Sequence, residues 1–257
     1  MPGPGPIPSD FAFIGFVFLL AGFVKGMVGL GLPIVGIGLL SLVMAPQQAA
    51  ALLVVPSMVT NLWQLAAGPS FGALARRLWP MMAGVCAGTW AGLWALHRLD
   101  LLTGAAAVRA EGALGLALML YAGLGLARVH LPPPGRAEGW AAPAVGVLTG
   151  GVSAATGVFA IPAVPYLGSL GLDQDELIQA LGLSFTISTL ALAAGLAAEG
   201  VFAAGAAWVS LAALLPALLG LAGGAWLRGR IRPATFRLCF LAGVLGLGLH
   251  LAVRGFA

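Results

Sequence analysis

The sequence predicts an all-α polytopic membrane protein with about eight to ten membrane segments, arranged as two inverted-topology repeats with broken or re-entrant helices. Three observations carry that expectation. Of 257 residues, 60% are apolar and 8% charged, whereas soluble domains carry about 25% charge. The 12 basic and 8 acidic residues bound apolar runs close to the ~20 residues of a bilayer span. The two halves of the chain repeat a series of Gly, Pro, polar and Trp positions in the same order. A soluble enzyme domain is excluded. The net charge of +4 does not point to nucleic acid, because the basic residues stand singly or in pairs between apolar runs rather than on one face.

Apolar stretches run from 11 to 44, 47 to 67, 78 to 96, 104 to 127, 140 to 170, 177 to 196, 207 to 227 and 238 to 253. The N-terminus MPGPGPIPSD has no basic region ahead of its apolar stretch, so the first segment is expected to stay in the mature protein. Trp79, Trp140 and Trp208 stand near segment ends, where indole rings favour the headgroup layer. A Pro-rich loop at 128–139, with Pro132, Pro133 and Pro134, divides the chain into transmembrane halves at 11–127 and 140–254.

The halves align. GFVKGMVGLGLP at 22–33 falls on GVSAATGVFAIP at 151–162, with Gly22 on Gly151 and Pro33 on Pro162. One residue shorter in register, Ser41 falls on Ser169, Leu53 on Leu181, Thr60 on Ser188 and Leu62 on Leu190. Within each copy the first apolar stretch is too long for one crossing: 34 residues of helix would span about 51 Å, against a hydrocarbon core of about 30 Å. Gly26, Gly29, Gly31 and Pro33 are the candidate breakers in the first copy, and Gly157, Pro162 and Pro165 in the second.

Counting Arg residues selects the arrangement in which each long stretch enters and leaves on the same side, as two short spans or as a re-entrant hairpin. It places Arg76, Arg77, Arg128, Arg136, Arg228, Arg230, Arg232 and Arg237 together, leaving Arg98, Arg109 and Arg254 opposite. The alternative, one crossing each, divides the arginines almost evenly. Each half then crosses an odd number of times, which inverts one half relative to the other. The arginine-rich loops are expected in the cytoplasm and both chain ends outside, in a multi-pass protein of the cell membrane.

Gly/Pro-interrupted segments at matching places in two halves mark the binding site of many secondary transporters. The candidates at the breaks are Gly29, Gly31, Pro33 and Pro162, with Ser153 and Thr156 beside the second. Lys25 lies well inside the first stretch, where a cation costs about 2.5–3.5 kcal/mol. Either it faces a cavity and attracts an anion, aided by half-helix N-termini, or the helix is shifted and Lys25 snorkels to an interface. Its counterpart is Ala154. Ser57, Thr60, Asn61 and Gln64 recur at i, i+3, i+4 and i+7, one helical face. Ser184 and Ser188 repeat at i, i+4, with Thr186 and Thr189 beside them. Such residues line a site or serve as interhelical glue worth about 0.6 kcal/mol each.

Other features have plainer readings. Gly84, Gly88 and Gly92, and Gly220 with Gly224, are expected as helix-packing contacts. Asp173, Asp175 and Glu176 mark a solvated loop and the start of a helix. Cys86 and Cys239 are isolated, and His97, His130 and His250 have no partner arrangement, so no disulfide, metal or cofactor is expected. Glu111 and Glu199 lie near segment ends and name no coupling acid. The chain contains no G-x-S-x-G, H-E-x-x-H or phosphate-binding loop, and no enzymatic activity is expected.

The doubled pattern, GFVKGMVGLGLPIVGIGLL followed by PQQAAALLVVPSMVTNLWQ and then GGVSAATGVFAIPAVPYLGSLGL followed by DELIQALGLSFTISTL, resembles the TauE/SafE family of sulfite and sulfonate exporters over about 11–253. The resemblance implies transport of small sulfur-containing anions such as sulfite, sulfoacetate or other sulfonates. Ala160 and Ile161 depart from the glycine-rich pattern and suggest a less open second break. The partners are then a small anion and the lipid bilayer, with a homo-oligomer allowed. A non-transporting scaffold or accessory subunit is the competing reading.

Overall fold

The computed structural model describes residues 8–66, 68–98, 105–127, 129, 131–198, 204–228, 230 and 233–256. Arg128, His130, Glu199 and Arg232 lie outside them. The chain is helical, with no strand among the described residues. One order of elements occurs twice: a long helix, a break, a short helix, then three long helices. The first set is α1 (Pro8–Val28), α2 (Leu32–Leu40), α3 (Pro46–Ala66), α4 (Phe71–Arg98) and α5 (Ala105–Leu126). The second is α6 (Glu138–Thr156), α7 (Ala163–Gly168), α8 (Gln174–Ala198), α9 (Ala204–Arg228) and α10 (Pro233–Phe256). Among the described residues five helices, α1, α3, α8, α9 and α10, are long and apolar enough to cross a membrane, and α5 contains a shorter apolar helix, Ala110–Leu126.

Burial is distributed as lipid solvent demands. Lys25, Ser57, Thr60, Asn61, Ser184 and Thr189 are buried, while Trp63, Trp90, Trp94 and Trp226 are exposed. In water that distribution would forfeit the hydrophobic effect; in a bilayer it hides polar groups from hydrocarbon. Trp79, Trp140 and Trp208 are also exposed, as a headgroup belt requires.

Two glycine seams join the halves. A Cβ at Gly22 would collide with the Ala217 carbonyl, and one at Gly26 with that of Leu221. The contacts advance in step, so α1 and α9 run parallel. Gly220 and Gly224 answer from α9, pressed on the Leu19 and Phe23 carbonyls. The second seam is built likewise: Gly84 and Gly88 of α4 meet the Pro143 and Val147 carbonyls, and Gly146 and Gly150 of α6 meet those of Met81 and Val85. Small residues four apart let backbones approach closely, the main source of helix affinity in lipid. The expectation for Gly84, Gly88, Gly220 and Gly224 matches this geometry. Gly26, expected to help break the first helix, instead belongs to a seam: α1 stays helical to Val28 because the close approach of α9 requires a glycine there.

α3 and α8 pack antiparallel, with Asn61 by Thr189, Leu65 by Gln179 and Ser70 by Glu176. So do α5 and α10, where Gly112 meets Phe256 and Gly125 meets Leu241. Asp173 and Glu176 cap α8 reciprocally: the Glu176 N–H donates to Asp173 Oδ1 at 2.8 Å, and the Asp173 N–H to Glu176 Oε2 at 3.3 Å.

An arginine from the opposite half clasps the chain just beyond each short helix. Arg77 Nε donates to Glu138 Oε1 at 2.6 Å, and Nη2 donates to Glu138 Oε2 at 2.9 Å and to the Leu170 carbonyl at 3.4 Å. Arg254 Nη1 donates to the Leu42 carbonyl at 3.0 Å, and its Nε lies 3.5 Å from Glu111 Oε2. Leu42 and Leu170 correspond under the sequence repeat, although the arginines and glutamates do not. The hydrogen bond from Arg77 holds the Glu138 carboxyl below the usual carboxylate range, and the same bond raises Arg77.

Candidate functional site

The polar interior begins with a proline. Pro56 inside α3 has no N–H, so the Leu52 carbonyl four residues earlier loses its helical partner. Ser210 of α9 takes its place: its hydroxyl donates to Leu52 O at 2.7 Å and accepts from the Val55 N–H at 3.3 Å. Beyond this point α3 presents Ser57, Thr60, Asn61 and Gln64 along one face, as the spacing predicts.

Lys25 of α1 reaches that face. Its ammonium donates to Thr60 Oγ1 at 2.9 Å and to Asn61 Oδ1. Thr60 is oriented for this because its hydroxyl proton turns back to the Pro56 carbonyl at 2.7 Å. Asn61 Nδ2 then donates to Thr189 Oγ1 at 3.3 Å, and Thr189 donates to the Phe185 carbonyl at 2.7 Å. Asn61 and Thr189, paired under the expected sequence repeat, touch each other across the α3–α8 contact. Lys25 is 2% exposed and is the one charged residue buried among the described residues. No carboxylate pairs with it there. An ammonium has three donors, and the two bonds found go to neutral oxygens. The α3 stripe draws the head into the protein interior rather than to its surface.

The first break is short and is bonded on both sides of Gly29. Gly29 adopts φ +77°, its N–H donates to the Lys25 carbonyl at 2.8 Å, and its own carbonyl accepts from Gln64 Nε2 at 2.8 Å. Arg228 of α9 donates from Nε to the Gly26 carbonyl at 2.9 Å and through a second nitrogen to the same atom. The end carbonyls of a helix need such partners when buried. After Gly31, α2 starts with Pro33 in its first turn. The second break runs from Gly157, at φ +72°, to Pro162 and is longer, not tighter, than the first. Thr156 serves it: its hydroxyl donates to Val152 O at 2.7 Å and accepts from the Val158 N–H at 3.2 Å. Pro165 lies inside α7 rather than in the break.

Between the breaks lies a cavity of about 10 Å³ bordered by Pro33, Ile37, Ser57, Gly157, Phe159 and Thr189. A second, of similar size, is bordered by Gly31, Pro33, Phe159 and Phe185. Each has room for about one water, so a larger guest enters only if the helices move. Thr189 belongs both to the cavity wall and to the chain of bonds from Lys25. Ser57, Ser153, Ser184 and Ser188 have buried hydroxyls without a partner among the described residues. Of the expected residues, Lys25, Thr60, Asn61 and Thr189 form one network, and Ser57, Pro33 and Gly31 adjoin it or the cavities. Ser153, Thr156 and Pro162 gather at the second break, while Ser184 and Ser188 are buried on α8 away from the cavity walls.

A family model described as sulfite exporter TauE/SafE matches residues 14–251, nearly the whole chain and both breaks. The chain belongs to the TauE/SafE sulfite exporter family. Comparison with curated proteins and with solved structures found no match. TauE/SafE proteins are membrane transporters and not enzymes, so the chain is a transporter rather than an enzyme. Residue reasoning missed Gln179, Ser210 and Arg228. Gln179 accepts from the Ser70 N–H at 2.9 Å and donates to the Leu65 and Gly68 carbonyls at 2.7 and 2.6 Å, closing the end of α3. The proline inside α3 was the signal for Ser210, since a carbonyl freed at membrane depth needs a donor.

Proposed function

We propose that this chain exports small sulfur-containing anions, such as sulfite, sulfoacetate or other sulfonates, across the cell membrane by alternating access. Two inverted repeats enclose the site, and Lys25 with Asn61, Thr60, Thr189 and Ser57 contacts the substrate. The observation that carries this reading is the buried Lys25, bonded to neutral oxygens and to no carboxylate among the described residues. A buried cation left without a counter-charge is costly, and an anionic substrate supplies that counter-charge. The N-terminus of α2, which borders both cavities at Pro33, adds a favourable dipole. Inverted repeats are supported by the antiparallel packing of repeat-related helices, α3 with α8 and α5 with α10. The cavity of about 10 Å³ corresponds to a closed conformation, and alternating access opens it to one side at a time.

Purified protein in proteoliposomes tests the proposal. Sulfite or a sulfonate should leave or enter protein-containing vesicles faster than protein-free ones, and Lys25→Met should abolish the difference. Absence of flux for every sulfur anion, with folded protein in the bilayer, would leave the scaffold reading.

A further inference from the structure

The charge inventory around the Lys25 network says more about the substrate than its family does. Lys25 contributes one positive charge. α2 and α3 carry no ionisable side chain at all. On α8 the acids Asp175 and Glu176 sit in the first turn, about 20 Å along the helix from Thr189 at 1.5 Å per residue. Glu138 of α6 is held by Arg77. Arg228 of α9 is exposed and directed to the Gly26 carbonyl. On α10, Arg237, Cys239 and His250 are exposed, and Arg254 is engaged with Glu111 and Leu42. The polar side chains that border the cavity next to this network, Ser57 and Thr189, are neutral hydroxyls.

We infer that this site is built for singly charged oxyanions and rejects doubly charged ones, so that sulfite is carried as hydrogensulfite, monovalent sulfonates are preferred to sulfate, and sulfoacetate, a dianion at neutral pH, drops out of the proposed substrates. The inference rests on the transporter reading of the same network. A monoanion beside Lys25 makes a neutral pair whose remaining lone pairs are met by Ser57 and the third ammonium proton. A dianion leaves one negative charge unmatched in a low-dielectric interior. Hydroxyls solvate such a charge but do not neutralise it, and an unmatched buried charge carries a penalty larger than a single hydrogen bond returns.

Binding to the purified full-length protein, read as thermal stabilisation by added anion, separates the cases. Methanesulfonate and sulfate are titrated at one pH, and sulfite and methanesulfonate across a pH series. The sulfite-to-methanesulfonate affinity ratio removes any effect of pH on the protein itself. The expected results are sulfate binding at least about tenfold weaker than methanesulfonate and a ratio that rises as pH falls, following the hydrogensulfite concentration. Equal or tighter sulfate binding, or a ratio rising with pH, would overturn the single-charge account while leaving transport intact. If no anion of either charge binds or crosses proteoliposomes, the transporter reading falls first and this inference with it.

Discussion

Replacing Lys25 with Met keeps most of the stem and removes the ammonium. In the protein without substrate the change is close to neutral. Asn61 Oδ1 loses its donor, a cost of about 1–3 kcal/mol, while removal of a cation from membrane depth returns about 2.5–3.5 kcal/mol. Thr60 keeps its bond to Pro56 O. Folding and insertion should therefore survive, with stability within about 2.5 kcal/mol of the parent. Substrate affinity should not survive. A charge-assisted hydrogen bond is worth about 1.5–3 kcal/mol, or roughly 10- to 150-fold in affinity. Lys25→Arg should bind between the two, because a planar fork does not reproduce a tetrahedral ammonium bonded to Thr60 and Asn61. The assay is anion-dependent thermal stabilisation of purified variants, followed by proteoliposome flux. A Met variant that binds and transports the anion with unchanged affinity would refute the reasoning and leave α2 alone to attract the substrate.

Four further outcomes are expected. Asn61→Ala should reduce flux more than Gln64→Ala at equal expression, because Asn61 joins Lys25 to Thr189 whereas Gln64 supports the Gly29 carbonyl; equal flux returns the stripe to packing. Gly84→Val should destabilise by about 1–3 kcal/mol through overpacking on α6, while Gly15→Ala, with nothing near its Cβ, should leave thermal stability unchanged. Glu138, held below the usual carboxylate range by Arg77, should contribute stability at neutral pH that disappears as pH falls through its lowered pKa. Arg77→Gln should thus reduce stability at pH 7 by at most about 1 kcal/mol for so exposed a pair, read as a slightly lower melting temperature, and not at strongly acidic pH. Arg230→Cys, with Cys86 and Cys239 replaced by Ala, should be shielded from an impermeant thiol reagent outside intact cells; labelling there would contradict the proposed cytoplasmic loop.

What the sequence made legible follows from the physics of each signal. A lone lysine among apolar residues and a polar stripe at helical spacing are deviations from a uniform background, so Lys25, Thr60, Asn61 and Thr189 stood out. Glycines in register were readable as seams because lipid leaves close packing as the main helix affinity. The end of α1 was not readable, because Gly26 as breaker and Gly26 as contact look alike until α9 is in place. Gln179 escaped notice because a single glutamine carries no periodicity; its value depends on a backbone N–H 109 residues away and on carbonyls 111 and 114 residues away. The clasps on Leu42 and Leu170 were hidden for a related reason. Backbone acceptors leave no trace in composition, and the arginines that serve them are not repeat-related.

The parallel seam between α1 and α9 also fixes an order of events during synthesis. Gly22 meets Ala217, and 217 − 22 = 195 residues separate them. At about 5–20 residues per second the ribosome needs roughly 10–40 s to deliver the partner. Throughout that interval the first helix waits with a bare glycine face and an ammonium group that only α3 is present to receive. The partners of Lys25, Thr60 and Asn61, are only 35 and 36 residues further along the chain, so they are made long before α9.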